Sequence, residues 1–122
     1  MDKQLLFFVD EGGFDDFTPL FVSLGFKVDF EDSQRKAVKL AKKNIYQVLV
    51  AEFSYNPEFR DRVSNIESLL ATLENHSPKV KTIILYDEIN QPQLNQLKQR
   101  YRMDATLAFP VDEKIIKDYI SE

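Results

Sequence analysis

The sequence predicts a three-layer α/β domain in which five parallel strands, each followed by a helix, form one sheet covered on both faces. Two observations carry this. Apolar runs and amphipathic helical stretches alternate strictly along the chain, the pattern of consecutive β-α units. Three of the strand-like segments are apolar throughout and two are not, which separates central strands from edges. With 122 residues the chain has room for one hydrophobic core, and 1–122 is read as a single domain.

Leu5-Leu6-Phe7-Phe8-Val9 is a continuous apolar run, as expected of a strand buried on both faces. It leads into Asp10-Glu11-Gly12-Gly13, a loop with two acids and two permissive glycines. A helix over Phe14–Leu24 places Phe17, Leu20, Phe21 and Leu24 on one face, with Pro19 tolerated in its first turns. Gly25 stops it. Phe26, Val28 and Phe30 alternate with Lys27 and Asp29, the period of a half-exposed edge strand. Ser33 caps the helix Gln34–Lys43, which turns Ala37, Val38, Leu40 and Ala41 inward and ends at Asn44.

Val48–Ala51 is a second buried-type strand, and Asn56-Pro57 opens a long helix with Phe59, Val63, Ile66, Leu70 and Leu73 on one face. Thr82–Tyr86 is the fourth strand, and Pro92 opens a helix carrying Leu94, Leu97 and Tyr101. Ala105–Ala108 is a short, mixed fifth strand. Asp112 caps a final helix whose inner face is Ile115, Ile116, Tyr119 and Ile120. Strands two and five are then the edges, which matches the flavodoxin-like order 2-1-3-4-5.

Composition narrows the chemistry. The absence of Cys removes disulfides, thiolate metal sites and thiol nucleophiles, and one His, His76, leaves no multi-histidine site within the chain. His76 reads as a helix-terminal surface residue. A net charge of −4 argues against direct nucleic-acid binding by the domain as a whole. Leu5–Val9 is too short for a signal-peptide core, no segment approaches membrane-spanning length, and the expected location is cytoplasmic. Gly12-Gly13 lacks the wider spacing of a nucleotide-binding loop.

In an open parallel sheet, function gathers at the carboxyl ends of the strands. Asp10 and Glu11 follow strand one, Glu52 follows strand three, Tyr86 ends strand four and Phe109-Pro110 follows strand five. Converging carboxylates repel unless screened. One reading is a hard-cation pocket of Asp10, Glu11 and Glu52 suited to Mg²⁺. The other is a set of solvated loop acids that hold no cofactor. Phe14, Phe53 and Phe109 are expected in loops at the same rim, where an apolar cluster suits a partner or ligand.

The topology and these positions together resemble the receiver domain of two-component response regulators (CheY-like), over essentially the whole chain. In that family an acidic pair follows strand one, as Asp10-Glu11 does here. A phosphoacceptor Asp ends strand three, and Glu52 stands in its place. A Thr or Ser ends strand four where this chain has Tyr86, and a Lys-Pro pair follows strand five where it has Phe109-Pro110. The resemblance implies a cis bond before Pro110. Pro57 lies one residue further from Glu52 than the family spacing, and the first helix is about two residues short. These departures remove the acceptor's reach, the cation that meets the phosphoryl group and the small hydroxyl that follows it.

The resemblance therefore implies a non-enzymatic pseudo-receiver of a two-component-type phosphorelay system that acts by protein–protein interaction without normal aspartyl phosphorylation. Its partner face is helix four, strand five and helix five, about 90–121, with Gln93, Gln96, Lys98, Gln99, Arg102, Lys114 and Lys117. A homodimer through that face is one expected arrangement. A receiver that still binds Mg²⁺ weakly and responds to phosphate is an alternative. A small flavodoxin-like ligand-binding domain or enzyme is another, although no Ser-His or Cys-His set is visible. Arg35, Lys36, Lys39, Lys42 and Lys43 make helix two basic, either as a solvated face or as a docking surface for an acidic partner.

Overall fold

The computed structural model describes residues 3–10, 16–54 and 66–121. Five strands, β1 (Lys3–Phe8), β2 (Phe26–Glu31), β3 (Val48–Phe53), β4 (Lys81–Tyr86) and β5 (Ala105–Ala108), alternate with five helices. These are α1 (Thr18–Ser23), α2 (Gln34–Lys43), α3 (Glu67–His76), α4 (Gln91–Lys98) and α5 (Glu113–Ser121), with a 3-10 turn at Glu88–Asn90 before α4. The strands form one sheet in the order β2-β1-β3-β4-β5. All four strand pairs are parallel, as the sequence pattern predicts.

The sheet separates two apolar layers, and strand alternation decides which side chain enters which layer. Leu6, Phe8, Leu49, Ala51, Phe53, Ile84 and Tyr86 pack with Ala37 and Ala41 of α2, Leu69, Leu70 and Leu73 of α3, and Leu94 and Leu97 of α4. Leu5, Phe7, Val48, Val50, Ile83 and Leu85 pack on the other side with Phe21 of α1 and with Ile116 and Ile120 of α5. The rings of Phe7 and Phe21 meet edge to face at 5.3 Å, a favourable aromatic geometry.

Several local expectations need correction. The first helix starts at Thr18, not Phe14. The N-cap position is Phe17, and the Asp16 carboxylate accepts the Thr18 amide at 3.0 Å in the turn that precedes the helix. Phe17 lies just outside the helix and is still buried in the core. Phe53 is not a rim loop residue: it is the last residue of β3 and lies in the core, so the apolar rim cluster expected from Phe14, Phe53 and Phe109 is not formed as read. Phe30 is 52% exposed because it sits on the edge strand, where its ring covers one side of Phe7 at 5.6 Å. On α5 only Ile116 and Ile120 are buried; Ile115 and Tyr119 are 46% and 38% exposed. Tyr101 follows α4 rather than extending it, although it packs against the core. The predicted helix start at Asn56-Pro57, with Phe59 and Val63, lies outside the described residues.

Other local expectations match. Ser33 Oγ accepts the Lys36 amide at the start of α2. Gly25 has φ +92°, the left-handed region, and a Cβ there would meet nothing within 4 Å, so backbone conformation and not space requires the glycine. His76 is the exposed last residue of α3.

At the amino end of the sheet the Tyr46 hydroxyl donates to Asp29 Oδ2 at 2.7 Å, and the Tyr46 amide donates to Ser77 Oγ at 2.9 Å. Burial, then the bond to Asp29, push the Tyr46 hydroxyl well above the ordinary tyrosine range. The folded chain therefore holds this proton more tightly than the unfolded chain. The stabilisation is fully present below pH ~10 and declines as pH rises above it. Tyr46→Phe should lower stability by about 1 kcal/mol at neutral pH, and the decline in stability above pH ~10 should become shallower than in the parent. Urea midpoints measured from neutral to alkaline pH check both; an unchanged alkaline slope would contradict the assignment.

Candidate functional site

β1 and β3 are direct neighbours, with Phe8 opposite Ala51. That register brings the residues just beyond β1 to the last turn of the β3 pleat. The Asp10 amide donates to Glu52 Oε1 at 2.8 Å, and Ser54 Oγ donates to Asp10 Oδ2 at 2.9 Å. Asp10, Glu52 and Ser54 thus form one connected polar unit at the carboxyl rim. Glu52 is only 5% exposed. A carboxylate at that depth is costly unless hydrogen-bonded, and the Asp10 amide is one donor that offsets the cost.

Glu52 has the same strand parity as Val48 and Val50, so its side chain leaves the sheet on the α1/α5 side. Tyr86 pairs in register with Phe53 and Ala108, and shares the opposite layer with Phe53. The structure brings both residues to the rim and sends their side chains to opposite faces of the sheet. The Tyr86 hydroxyl donates to Gln91 Oε1, and Gln91 Nε2 donates to Asn95 Oδ1 at 2.9 Å, so the phenol is tied to the first turn of α4. Phe109 is 48% exposed. Its amide donates to the Tyr86 carbonyl at 2.7 Å, extending the β4–β5 ladder by one bond, and its peptide bond to Pro110 is cis.

Glu11, Gly12, Gly13 and Phe14 lie outside the described residues. The donors that remain, two carboxylates and a serine hydroxyl, are all oxygen, the chemistry a hard divalent cation prefers. One oxygen of each carboxylate is already engaged by a protein donor, so a cation would share them with the Asp10 amide and the Ser54 hydroxyl. Among the described residues, no three His, Cys, Asp or Glu side chains gather as a metal cluster.

Ser54 and Gln91 were not singled out by sequence reasoning. Ser54 stands two residues after Glu52, the spacing that returns a side chain to the same face of an extended segment. Gln91 directly precedes the helix-opening Pro92 and carried no comparable signal.

No protein-family model and no curated protein matches the sequence. Solved structures do. A signal receiver domain of an HD domain-containing protein from Pseudomonas fluorescens Pf-5 is similar with TM-score 0.78 at 13% identity, over 99% of this chain and 93% of that one. The chemotaxis protein CheY4 of Vibrio cholerae has TM-score 0.72 at 14% identity, over 99% and 98%. A response regulator from Burkholderia pseudomallei with a phosphorylated aspartic acid has TM-score 0.59 at 19% identity, over 94% of this chain and 64% of that one, so this chain spans less than two thirds of its length. The polypeptide has the CheY-like fold of response-regulator receiver domains.

Proposed function

We propose that this chain is a receiver-type signalling domain that acts through protein contacts and does not run an aspartyl phosphate cycle. One observation carries the reading: Glu52, at the acceptor position, is buried and its Oε1 is held by the Asp10 amide. Acyl phosphate formation needs a carboxylate oxygen aligned with an incoming phosphoryl group. The extra methylene of Glu52 displaces that oxygen by an ångström or more, a misplacement that costs on the order of 10²-fold. Phe109 supplies no charge to a phosphoryl oxygen, and loss of one such donor costs about 3–4 kcal/mol. The Tyr86 hydroxyl is bonded to Gln91, on the other side of the sheet from Glu52. Glu52 is instead a structural carboxyl held by the Asp10 amide, and the domain is non-enzymatic.

Incubation with Mg²⁺ and acetyl phosphate should leave the intact mass unchanged. A substantial population gaining one phosphoryl group, lost on Glu52→Ala, would refute the proposal.

The protein's own donors already engage both carboxylates, so Mg²⁺ should bind weakly or not at all. Titration to about 10 mM, a concentration well above tight Mg²⁺ sites, should give no saturable shift in the amide signals of Asp10 and Ser54. Submillimolar saturation would favour a receiver that retains its cation.

The partner face is assigned to α4, β5 and α5, where Ile115 and Tyr119 stand exposed. The first occupant to test is a second copy of the chain. Sedimentation should show a dimer that Ile115→Glu weakens about 30-fold, equivalent to an anchor of about 2 kcal/mol. A monomer at every concentration would exclude self-association through this face.

A further inference from the structure

The basic face of α2 plays no part in the rim or in the α4-β5-α5 surface. Its ten residues, Gln34–Lys43, include Arg35, Lys36, Lys39, Lys42 and Lys43 and no acid. All five cations are exposed. Among the described residues none of them forms an ion pair; the two ion pairs present are Arg100–Glu67 and Arg102–Asp104.

Helix stability does not account for this pattern. Lys42 and Lys43 sit in the last turn, where the helix dipole favours cations. Arg35 and Lys36 sit in the first turn, where it opposes them, and no acid is there. Arg35 and Lys39, and Lys39 and Lys43, are like charges at i,i+4 and repel each other.

Beside this stripe runs a groove of about 370 Å³ lined by Gln34, Arg35, Val38, Lys39 and Lys42, with Ser68 of α3 on its far wall. Val38 gives it a partly buried apolar floor. Among the described residues the amide oxygen of Gln34 is buried without a hydrogen-bond partner. A groove with cations and an apolar seat suits a ligand that brings carboxylates and an apolar side chain.

We propose that α2 and this groove dock a short acidic segment of a partner protein. The rest of the chain selects this occupant over a nucleic acid. Outside α2 it carries 11 basic and 20 acidic side chains. A ten-residue helix is about 15 Å long. A longer polyanion extends past the basic stripe, into a chain that is otherwise net acidic, whereas a peptide of about four extended residues, or of about eight in a helical turn geometry, stays on it. A free phosphate or lipid headgroup offers no apolar side chain for the Val38 seat.

The test uses the full chain and a fluorescein-labelled octapeptide of six glutamates and two leucines. Binding should shift the amide signals of α2. It should weaken at least ~10-fold between about 50 and about 300 mM salt, because exposed charges are screened. It should also weaken at least ~10-fold in Arg35→Glu/Lys39→Glu/Lys42→Glu, and remain unchanged in Lys114→Glu/Lys117→Glu on α5. If the charge-reversed protein does not fold, as judged by circular dichroism, Arg35→Gln/Lys39→Gln/Lys42→Gln replaces it. Absence of binding at millimolar peptide, shifts confined to other elements, or affinity unaffected by the α2 substitutions would each overturn the proposal. Equal or tighter binding of an eight-nucleotide oligo-dT or of inorganic polyphosphate would overturn it in favour of a general polyanion site. A concentration-dependent increase in size that the α2 substitutions abolish would overturn it in favour of a second copy as the occupant.

Discussion

The pairing of β1 with β3 is the contact on which the geometry of the sheet and its rim depends. Leu5 to Phe8 and Val48 to Phe53 are all buried, and their side chains alternate between two separate apolar layers. A slip of one residue in either strand would send each layer's side chains to the wrong face. The register Leu5↔Val48 to Phe8↔Ala51 is therefore fixed by the core on both sides at once. The same register sets what happens past the ends of the strands. It delivers the Asp10 amide to the Glu52 carboxylate, so the geometry of the rim follows from packing in the middle of the sheet.

Much of the architecture was legible because burial and exposure leave different marks on strands. Leu5–Val9 and Thr82–Tyr86 are apolar or nearly so, and both lie centrally; Phe26–Glu31 alternates and is an edge. Helix boundaries and orientations were less legible. Phe17 fits a helical period but stands at the N-cap position before α1, where the Thr18 amide bonds back to Asp16 in a turn. Ile115 and Tyr119 also fit the inner face of α5 by type and spacing. The short β5 offers a narrow layer, and Ile116 and Ile120 fill it.

The candidate site was legible in its positions and not in its connections. Strand ends can be counted from sequence, so Asp10, Glu52, Tyr86 and Phe109 could be placed at one rim. Side-chain direction depends on the strand's parity against the core, and that separates Tyr86 from Glu52. Phe53 is buried as the last residue of β3, so Glu52 must leave the sheet on the opposite side. Hydrogen-bond partners such as Ser54 and Gln91 depend on where a chain turns after its strand or enters its helix, which hydrophobic period does not encode.

The charge at Glu52 bears on how such a domain can be regulated. A phosphoryl group adds about −1.5 to −2 charges at pH 7. A glutamate in the aspartate position adds none relative to the unmodified side chain; it moves one charge outward by a methylene. In this chain that charge is matched by the Asp10 amide, and Asp10 in turn by Ser54. The rim is then a hydrogen-bonded unit in which Asp10 and Ser54 hold the Glu52 carboxyl in place. A two-state element responds only to an input that favours one state over the other. Under the reading proposed above, that input has to come from contacts made elsewhere on the surface. Two faces have the means: the exposed Ile115 and Tyr119 on α5, and the exposed cations of α2 with the groove beside them. The first is apolar and the second electrostatic, so added salt should weaken contacts at α2 while leaving those at α5 largely intact.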